Sequence, residues 1–159
     1  MTQNPYAEDL GDRDPLTALE QTPQQIRAIV EGWSQEQFER SYAAGKWSAR
    51  KLLIHLAQTE MALSTRVRYA LSTPDYEAQS FEQDDWISAD NSAAAVTALD
   101  AYTSTRAMNM AMWRSLNFAQ LHRTFTHPDF GRLTVEWVAA QMAGHDLHHL
   151  KHFEQIARS

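Results

Sequence analysis

The hydrophobic positions of this chain recur with helical spacing through most of its length. Strict alternation of apolar and polar residues is missing from the sequence, and only five glycines and five prolines interrupt it. Spacings of three and four residues place apolar side chains on one face of a helix, whereas strands need alternation. The pattern therefore predicts an all-α fold.

Four helical segments follow from this pattern. Residues 1–14 have the composition of a polar N-terminal arm. In the first helical region after it, Thr22 and Pro23 are of the types expected for an N-cap and a first turn. The second, third and fourth helices are predicted over residues 48–72, 92–116 and 134–157, with a long connection at 73–90. We therefore predict one four-helix-bundle domain over residues 15–159.

Composition and charge exclude several classes of function. The chain has 159 residues, 43% of them hydrophobic, which suffices for one domain with a core. Its net charge is -6 and it has no basic run, so we expect no nucleic-acid partner. The N-terminal sequence has neither a basic start nor an apolar stretch, and no apolar run approaches the roughly 20 residues that span a bilayer. We therefore expect a cytoplasmic protein without membrane contact.

The most distinctive stretch is AGHDLHHLKHFEQI, residues 143–156, which contains four histidines. The chain has no cysteine, so any metal must be held by His, Asp or Glu. His145 and His149 lie on one face of the fourth helix, about 6 Å apart along its axis. The spacing of His148 is equally suitable, but the apolar stripe includes His149, has His145 at its edge and leaves His148 nearer to solvent. We therefore predict His145 and His149 as a metal-binding pair.

A catalytic site with imidazole ligands usually needs a third protein ligand and an open position. His55 lies in the middle of the second helix at the edge of its apolar face, and we predict it as that ligand. His122 and His127 stand in a turn-rich segment, so we expect turn or surface residues. His152 lies two turns beyond His145, too far to share the ion. The alternative is that the histidines of the fourth helix are only surface groups.

The order and spacing of three segments resemble the DinB-like superfamily of small four-helix-bundle proteins. The segments are GKWSARKLLIHLAQTE (45–60), HPDFGRLTVEWV (127–138) and GHDLHHLKHFEQI (144–156), and an earlier segment at 16–26 also fits. The resemblance covers most of the chain. It implies a divalent metal, nickel or zinc, held by His55 and by the H-x-x-x-H pair His145 and His149. The C-terminal segment is longer than the commoner family ending, which leaves His152 without an implied role.

The same resemblance implies partners. The superfamily includes transferases and isomerases that use low-molecular-weight thiols, so a small-molecule substrate with a thiol cosubstrate is one expectation. Bundles of this superfamily commonly pair through helix faces, which implies a homodimer. The lack of cysteine in the chain is compatible with a thiol as cosubstrate.

Two acidic residues lie within apolar sectors of the second and fourth helices. An unpaired carboxylate is costly there, so Glu60 and Asp146 should have partners. Either could orient a ligating histidine through its second ring N–H, or act as a general base. The alternative is a hydrogen bond or ion pair between helices, with Arg66, Arg68, Trp47 or Tyr102 as the partner.

Two classes of function remain open at this point. One is a metal-dependent enzyme, either a hydrolase or a transferase that uses a low-molecular-weight thiol. The other is a non-catalytic bundle that binds a metal or a small molecule as a structural element, sensor or carrier. A cleft beside the metal would favour catalysis. We expect residues 73–90 to overhang the site, with Trp47, Trp86 and Tyr102 as candidate walls.

Overall fold

The computed structural model describes residues 2–159 and is dominated by four long helices. The elements are α1 (Ala7–Leu10), α2 (Pro15–Val30), α3 (Gln35–Phe38), α4 (Ala49–Ser72), α5 (Gln83–Ala89), α6 (Ala95–Ser115), α7 (Phe118–Leu121), β1 (Thr124–His127), β2 (Gly131–Thr134) and α8 (Val135–Ala157). Both α2 and α4 pack against α6 and α8, which closes the bundle. The predicted all-α four-helix bundle is confirmed. Among the described residues, no helix has the length and apolar character needed to cross a membrane.

Helices α4 and α8 begin where the sequence predicts. The side chain of Ser48 accepts a hydrogen bond from the Lys51 N–H, and that of Thr134 accepts one from the Trp137 N–H. Each cap satisfies a backbone donor that has no partner within the first helical turn. The long connection between α4 and α6 is also present, and it contains the short helix α5.

The first long helix begins earlier than the sequence predicts. Asp14 caps α2 by accepting a hydrogen bond from the Thr17 N–H, and Pro15 occupies the first turn. The expected N-cap at Thr22 is therefore wrong, because Thr22 and Pro23 both lie inside the helix. The Asp14–Pro15 pair has the same cap-and-proline signature as Thr22–Pro23, so the sequence offered two possible starts.

Pro23 leaves an unpaired acceptor inside α2. Proline has no N–H, so the Leu19 carbonyl one turn earlier receives no helical hydrogen bond. Arg106 from α6 donates to that carbonyl through Nη1, with an N–O distance of 2.7 Å. The proline thus opens a position on α2 that a side chain of a neighbouring helix fills.

The segment before α8 is a short antiparallel hairpin. Phe125 on β1 lies opposite Leu133 on β2, and both side chains are buried. Each strand has four residues, which is too short for alternation to be recognised. The expectation that His127 is a turn or surface residue is wrong, because it ends β1 and is 4% exposed.

The segment expected to be a polar arm packs against α8. The backbone carbonyl of Tyr6 lies so close to Gly144 that a Cβ at that position would overlap it. Asp9 forms an ion pair with Lys151, with an O–N distance of 2.7 Å. Helix α1 therefore lies on the outer face of α8, close to the histidine-rich segment. The boundary between an N-terminal arm (1–14) and a bundle domain (15–159) stays a prediction.

The core consists of two apolar clusters with polar residues between them. Ala57 of α4 and Tyr102 of α6 belong to one cluster, whereas Leu63 of α4 and Met110 of α6 belong to the other. The boundary between the clusters therefore lies between these residues on each helix. Glu60 and other buried polar side chains lie in these intervals. The middle of the bundle is therefore a polar layer, and the candidate site lies at this level.

Candidate metal centre

Three buried histidines meet between α4 and α8. His55 comes from α4, and His145 and His149 lie one turn apart on α8. The Nε2 atom of His145 is 2.9 Å from Nε2 of His55 and 3.1 Å from Nε2 of His149. The structure thus brings together the three residues that the sequence predicts as a metal-binding set, and we refer to them as the histidine cluster.

The spacing of these nitrogens suits a divalent ion. Imidazole nitrogens bound at 2.0–2.1 Å in a tetrahedral site are about 3.3 Å apart, close to the observed distances. All three candidate ligand atoms lie within 4.8 Å of one another. A neutral imidazole nitrogen has either one proton or one lone pair, so Nε2 of His145 cannot make two good hydrogen bonds to its two neighbours. A cation would engage all three lone pairs together, so the donor set fits a metal.

Burial keeps the imidazoles of His55 and His149 uncharged. Burial, followed by the neighbouring His145, lowers the pKa of His55 to about 3. Burial, followed by the charges of nearby histidines, also holds the pKa of His149 well below its usual range. Because neutral imidazole is the form that binds metals, both rings are ready to act as ligands at pH 7.

The other ring nitrogens of the cluster have different surroundings. Nδ1 of His149 lies 3.2 Å from Nδ1 of His152, whereas Nδ1 of His55 and of His145 have no hydrogen-bond partner among the described residues. The His152 ring stacks on Tyr42 with centroids 3.8 Å apart. Burial lowers the pKa of His152 to about 4, so its neutral ring can accept a hydrogen bond from the Nδ1–H of His149. His152 thus contacts a cluster histidine from outside.

The remaining histidine of the α8 run lies beside the cluster and does not belong to it. The side chain of His148 is 41% exposed, and its Nδ1 lies 3.2 Å from a carboxylate oxygen of Asp9 on α1. The predicted position nearer to solvent is therefore the one observed. His122 is also away from the cluster, beside Phe118 on α7.

Glu60 and Asp146 share one buried guanidinium. Arg106 donates through Nε and Nη2 to Oε2 of Glu60, at 2.8 and 2.6 Å, and through Nη1 to Oδ2 of Asp146, at 2.7 Å. Asn109 donates to the other Glu60 oxygen, and the Tyr102 hydroxyl donates to Asp146. The interhelical ion pair that the sequence left open is the arrangement observed, and Tyr102 is one of the partners considered. We refer to these five residues as the Arg106 network.

The two carboxylates differ in their distance from the histidine cluster. Oδ1 of Asp146 lies 3.9 Å from Nδ1 of His145, which is longer than a hydrogen bond. Burial alone would raise the pKa of Asp146, but Arg106 holds it below its usual value, so the group stays ionised. Both Glu60 oxygens are occupied by Arg106 and Asn109. These positions favour a structural role for both residues over proton transfer.

The sequence interpretation missed Arg106. Its signal is a single basic residue within the apolar stripe of α6, between the buried Tyr102 and Met110. A buried arginine needs anionic partners, so its position could have been matched to Glu60 and Asp146. Arg66 and Arg68, which were considered instead, form no ion pair with either carboxylate: Arg66 donates to the Gln79 carbonyl, and Arg68 donates to Asn109.

A cavity of about 300 Å³ adjoins the histidine cluster. His55 and His145 form part of its wall, and the exposed residues Ser80 and Glu82 lie at its rim. The connection after α4 thus overhangs the site, as the sequence predicts.

The three aromatic residues expected as walls do not line this cavity. Trp47 lies against His55 with ring centroids 5.0 Å apart. Trp86 packs on Phe81, and Tyr102 is fully buried in the Arg106 network. The cavity wall is instead formed partly by Tyr6 and Phe130.

Fold and site together define a class of protein, a small helical bundle with a three-histidine candidate metal centre beside a cavity. A sequence model described as the DinB superfamily matches residues 18–153. The chain belongs to this superfamily.

Individual relatives agree with that assignment. A protein of Oceanobacillus iheyensis, named "putative metal-dependent hydrolase", is 24% identical over 140 residues, which are 87% of this chain and 81% of the relative. A Bacillus cereus protein of the same description is 22% identical over 98% of this chain and 90% of its own length. Among solved structures, YfiT from Bacillus subtilis has a TM-score of 0.84 at 24% identity, over 91% of this chain and 84% of YfiT. Its description is "a probable metal-dependent hydrolase with an unusual four-helix bundle topology".

Proposed function

We propose that this protein is a metal-dependent hydrolase in which His55, His145 and His149 hold one divalent ion. The observation that carries the proposal is the convergence of three buried Nε2 atoms from two helices beside a cavity. The descriptions of the relatives as metal-dependent hydrolases support the same reaction class.

Each part of the chain has a defined task in this proposal. The bound ion would supply Lewis-acid chemistry and activate water near neutral pH. The two histidines of α8 and His55 of α4 fix its position, because all three rings are held in a packed interior. The Arg106 network ties α4, α6 and α8 together and so maintains the distance between the ligands. The cavity gives a small substrate access to this position.

The metal is proposed to be zinc or nickel. Three neutral imidazoles suit either ion, and the chain offers no thiolate that would select a softer metal. A carboxylate-rich, all-oxygen site would instead suit magnesium or calcium. The choice between zinc and nickel rests on the resemblance to the superfamily.

Two alternatives differ in what the cavity contains. A transferase would use the same centre with a low-molecular-weight thiol as cosubstrate, and a sensor or carrier would bind without turnover. The cavity beside the cluster supports catalysis over a purely structural metal, because a structural site is normally closed by four protein ligands. A panel of simple esters, assayed with and without added thiols, separates hydrolase from transferase.

We also propose that the protein is a homodimer, and this proposal rests on the resemblance to the superfamily alone.

The ligand set is tested by metal content in five single variants. His55→Ala, His145→Ala and His149→Ala should each lose the bound metal, because two imidazoles hold an ion far less tightly than three. His148→Ala and His152→Ala should keep nearly full stoichiometry, since neither ring belongs to the cluster. Metal is measured by elemental analysis after purification and by titration with zinc and nickel.

The two unaffected variants act as matched controls on the same helix. Circular dichroism of all five variants confirms that loss of metal does not reflect loss of the fold. Full stoichiometry in the His55 variant, or complete loss in the His148 variant, would show that the proposed ligand set is wrong.

A further inference from the structure

The cavity contains a buried arginine that forms no ion pair. Arg66 of α4 is 7% exposed, and among the described residues its hydrogen bond is from Nη2 to the Gln79 carbonyl, at 2.8 Å. No described carboxylate lies within the 4.0 Å that defines an ion pair with it. Arg106, which is 3% exposed, binds two carboxylates. A desolvated guanidinium normally has an anionic partner, so Arg66 has capacity for one.

Two more polar groups in the cavity wall have unused hydrogen-bonding capacity. Thr59 Oγ1 and Gln141 Oε1 are buried and form no hydrogen bond with any described residue. Thr59 lies one turn from His55 on α4, and Gln141 lies one turn from His145 on α8. Buried polar groups without partners are uncommon and costly. Both belong to the wall of one cavity, which indicates that a polar ligand satisfies them.

Helix geometry places these groups in line. Arg66 follows His55 by about three turns of α4, so the two side chains share a face, with Cα atoms about 16 Å apart. The Arg66 side chain lines the cavity, and its guanidinium donates to the Gln79 carbonyl. Thr59 and the apolar Leu63 line the cavity between them. The cavity therefore extends from the histidine cluster to the Arg66 side chain.

The charges around the cavity favour a singly charged anion. Glu82 and Asp129 also line it, and Asp129 accepts a hydrogen bond from Ser80 instead of pairing with Arg66. These carboxylates would repel a doubly charged phosphate, whereas one carboxylate can form two parallel hydrogen bonds with a guanidinium. A volume of about 300 Å³ holds a ligand equivalent to about ten water molecules. The ligand is therefore small.

We propose that Arg66 binds a carboxylate group of a small substrate whose reacting group lies at the histidine cluster. Thr59 and Gln141 then hydrogen-bond the part of the substrate between its two ends. This inference names the substrate class of the proposed hydrolase and rests on that function only for the position of the reacting group. The carboxylate subsite at Arg66 needs no metal.

The first test uses probes that have a metal-binding group at one end. Hydroxamic acids with a terminal carboxylate, linked by two to eight methylene groups, are compared with their methyl esters on the zinc-loaded protein by calorimetry. At the matching length, the acid should bind about tenfold or more tightly than its ester, because only the acid forms the charged pair. The affinity of the ester measures binding of the hydroxamate to zinc. The ratio of the acid and ester affinities measures the ion pair between the carboxylate and Arg66.

Variants of one helix assign the ratio to Arg66. Arg66→Gln should bring the acid-to-ester ratio close to one, and Arg66→Lys should restore part of it. Zinc content and ester affinity should stay unchanged in both variants. Arg68→Gln is the matched control, because Arg68 is an exposed arginine on the same helix and does not line the cavity.

A second test uses the metal-free wild-type protein and therefore requires no folded variant. Butyrate should shift the Nε–H resonance of Arg66 in a saturable way, and uncharged butyramide should not. If the protein binds no zinc but butyrate still shifts this resonance, the hydrolase proposal fails and the carboxylate subsite stands. If acids and esters bind equally at every length, or if butyrate leaves Arg66 unchanged, the carboxylate inference is overturned.

Discussion

At the residue scale, the histidines of α8 differ in role because their directions differ. His145 and His149 project toward α4, where His55 meets them, whereas His148 contacts Asp9 at the surface. The apolar stripe of the sequence was sufficient to predict this separation, because it marks the direction of the bundle interior. The partner of His152 could not be predicted, since its stacking on Tyr42 depends on a loop far away in the sequence.

The contact between His149 and His152 leads to a prediction. A ligating histidine binds more tightly when its second ring N–H has an acceptor, and the stacked His152 supplies one at 3.2 Å. His152→Ala should therefore keep metal stoichiometry but lower the affinity about 10- to 100-fold. The affinity is measured by competition with a chelator, and ¹⁵N spectra of His149 report whether Nδ1 still carries the proton.

A conservative variant and a neighbouring one serve as controls. His152→Gln keeps an acceptor near His149 and should recover part of the affinity. His148→Ala should change the affinity little, since the polar contact of the His148 ring is with Asp9 and not with a ring nitrogen of His149. Equal affinity in the His152→Ala variant and the wild type would show that the contact does not orient His149.

At the element scale, helices with an unambiguous cap could be predicted and shorter or competing features could not. Ser48 and Thr134 begin α4 and α8 as expected. Asp14 and Thr22 each precede a proline, and only tertiary packing decides between them, since Arg106 satisfies the carbonyl that Pro23 leaves free. The hairpin was missed because its strands are short.

The Arg106 network gives a prediction about helix packing. Replacing Arg106 with Met removes the positive charge that pairs with Glu60 and Asp146. Both buried carboxylates then lack a cationic partner. Breaking a buried pair in this way costs about 3–5 kcal/mol, so the free energy of unfolding should fall by that order. Urea denaturation measures the change.

An exposed arginine on the same helix is the control for this measurement. Arg114 pairs with Glu20 at the surface, so Arg114→Met should lower the stability by less than about 1 kcal/mol. A similarly small loss in the Arg106→Met variant would mean that the network does not hold α4, α6 and α8 together. The variant would then also be expected to keep its metal affinity.

At the scale of the whole molecule, the buried polar groups, which are costly to desolvate, lie at the level of the candidate site. The histidine cluster and the Arg106 network are adjacent at Asp146, which follows His145 directly. The sequence predicted that the carboxylates need partners, because burial is costly for an unpaired charge. It could not identify a shared partner on α6, since that depends on how three helices pack. The same arrangement makes the stability of the metal-free protein dependent on pH.

The last prediction concerns this pH dependence. The pKa of His55 is about 3 in the folded protein, because burial opposes its charge, compared with 6.5 in an unfolded chain. Below pH 6.5 the unfolded state binds a proton at this residue that the folded state does not bind until the pH approaches 3. The contribution of neutral His55 to the free energy of unfolding is therefore fully present above pH 6.5. Below that pH the free energy of unfolding falls, by up to about 1.4 kcal/mol per pH unit for this one residue.

Urea denaturation of the metal-free protein between pH 7 and pH 4 measures this slope. His55→Gln removes the titrating ring but keeps a polar side chain of similar length, so its stability should fall less steeply over the same range. His148→Gln provides the comparison with a histidine outside the cluster, half-exposed beside Asp9. A slope in the His55→Gln variant equal to that of the wild type would contradict the prediction, because the proton uptake at low pH would then arise from other groups.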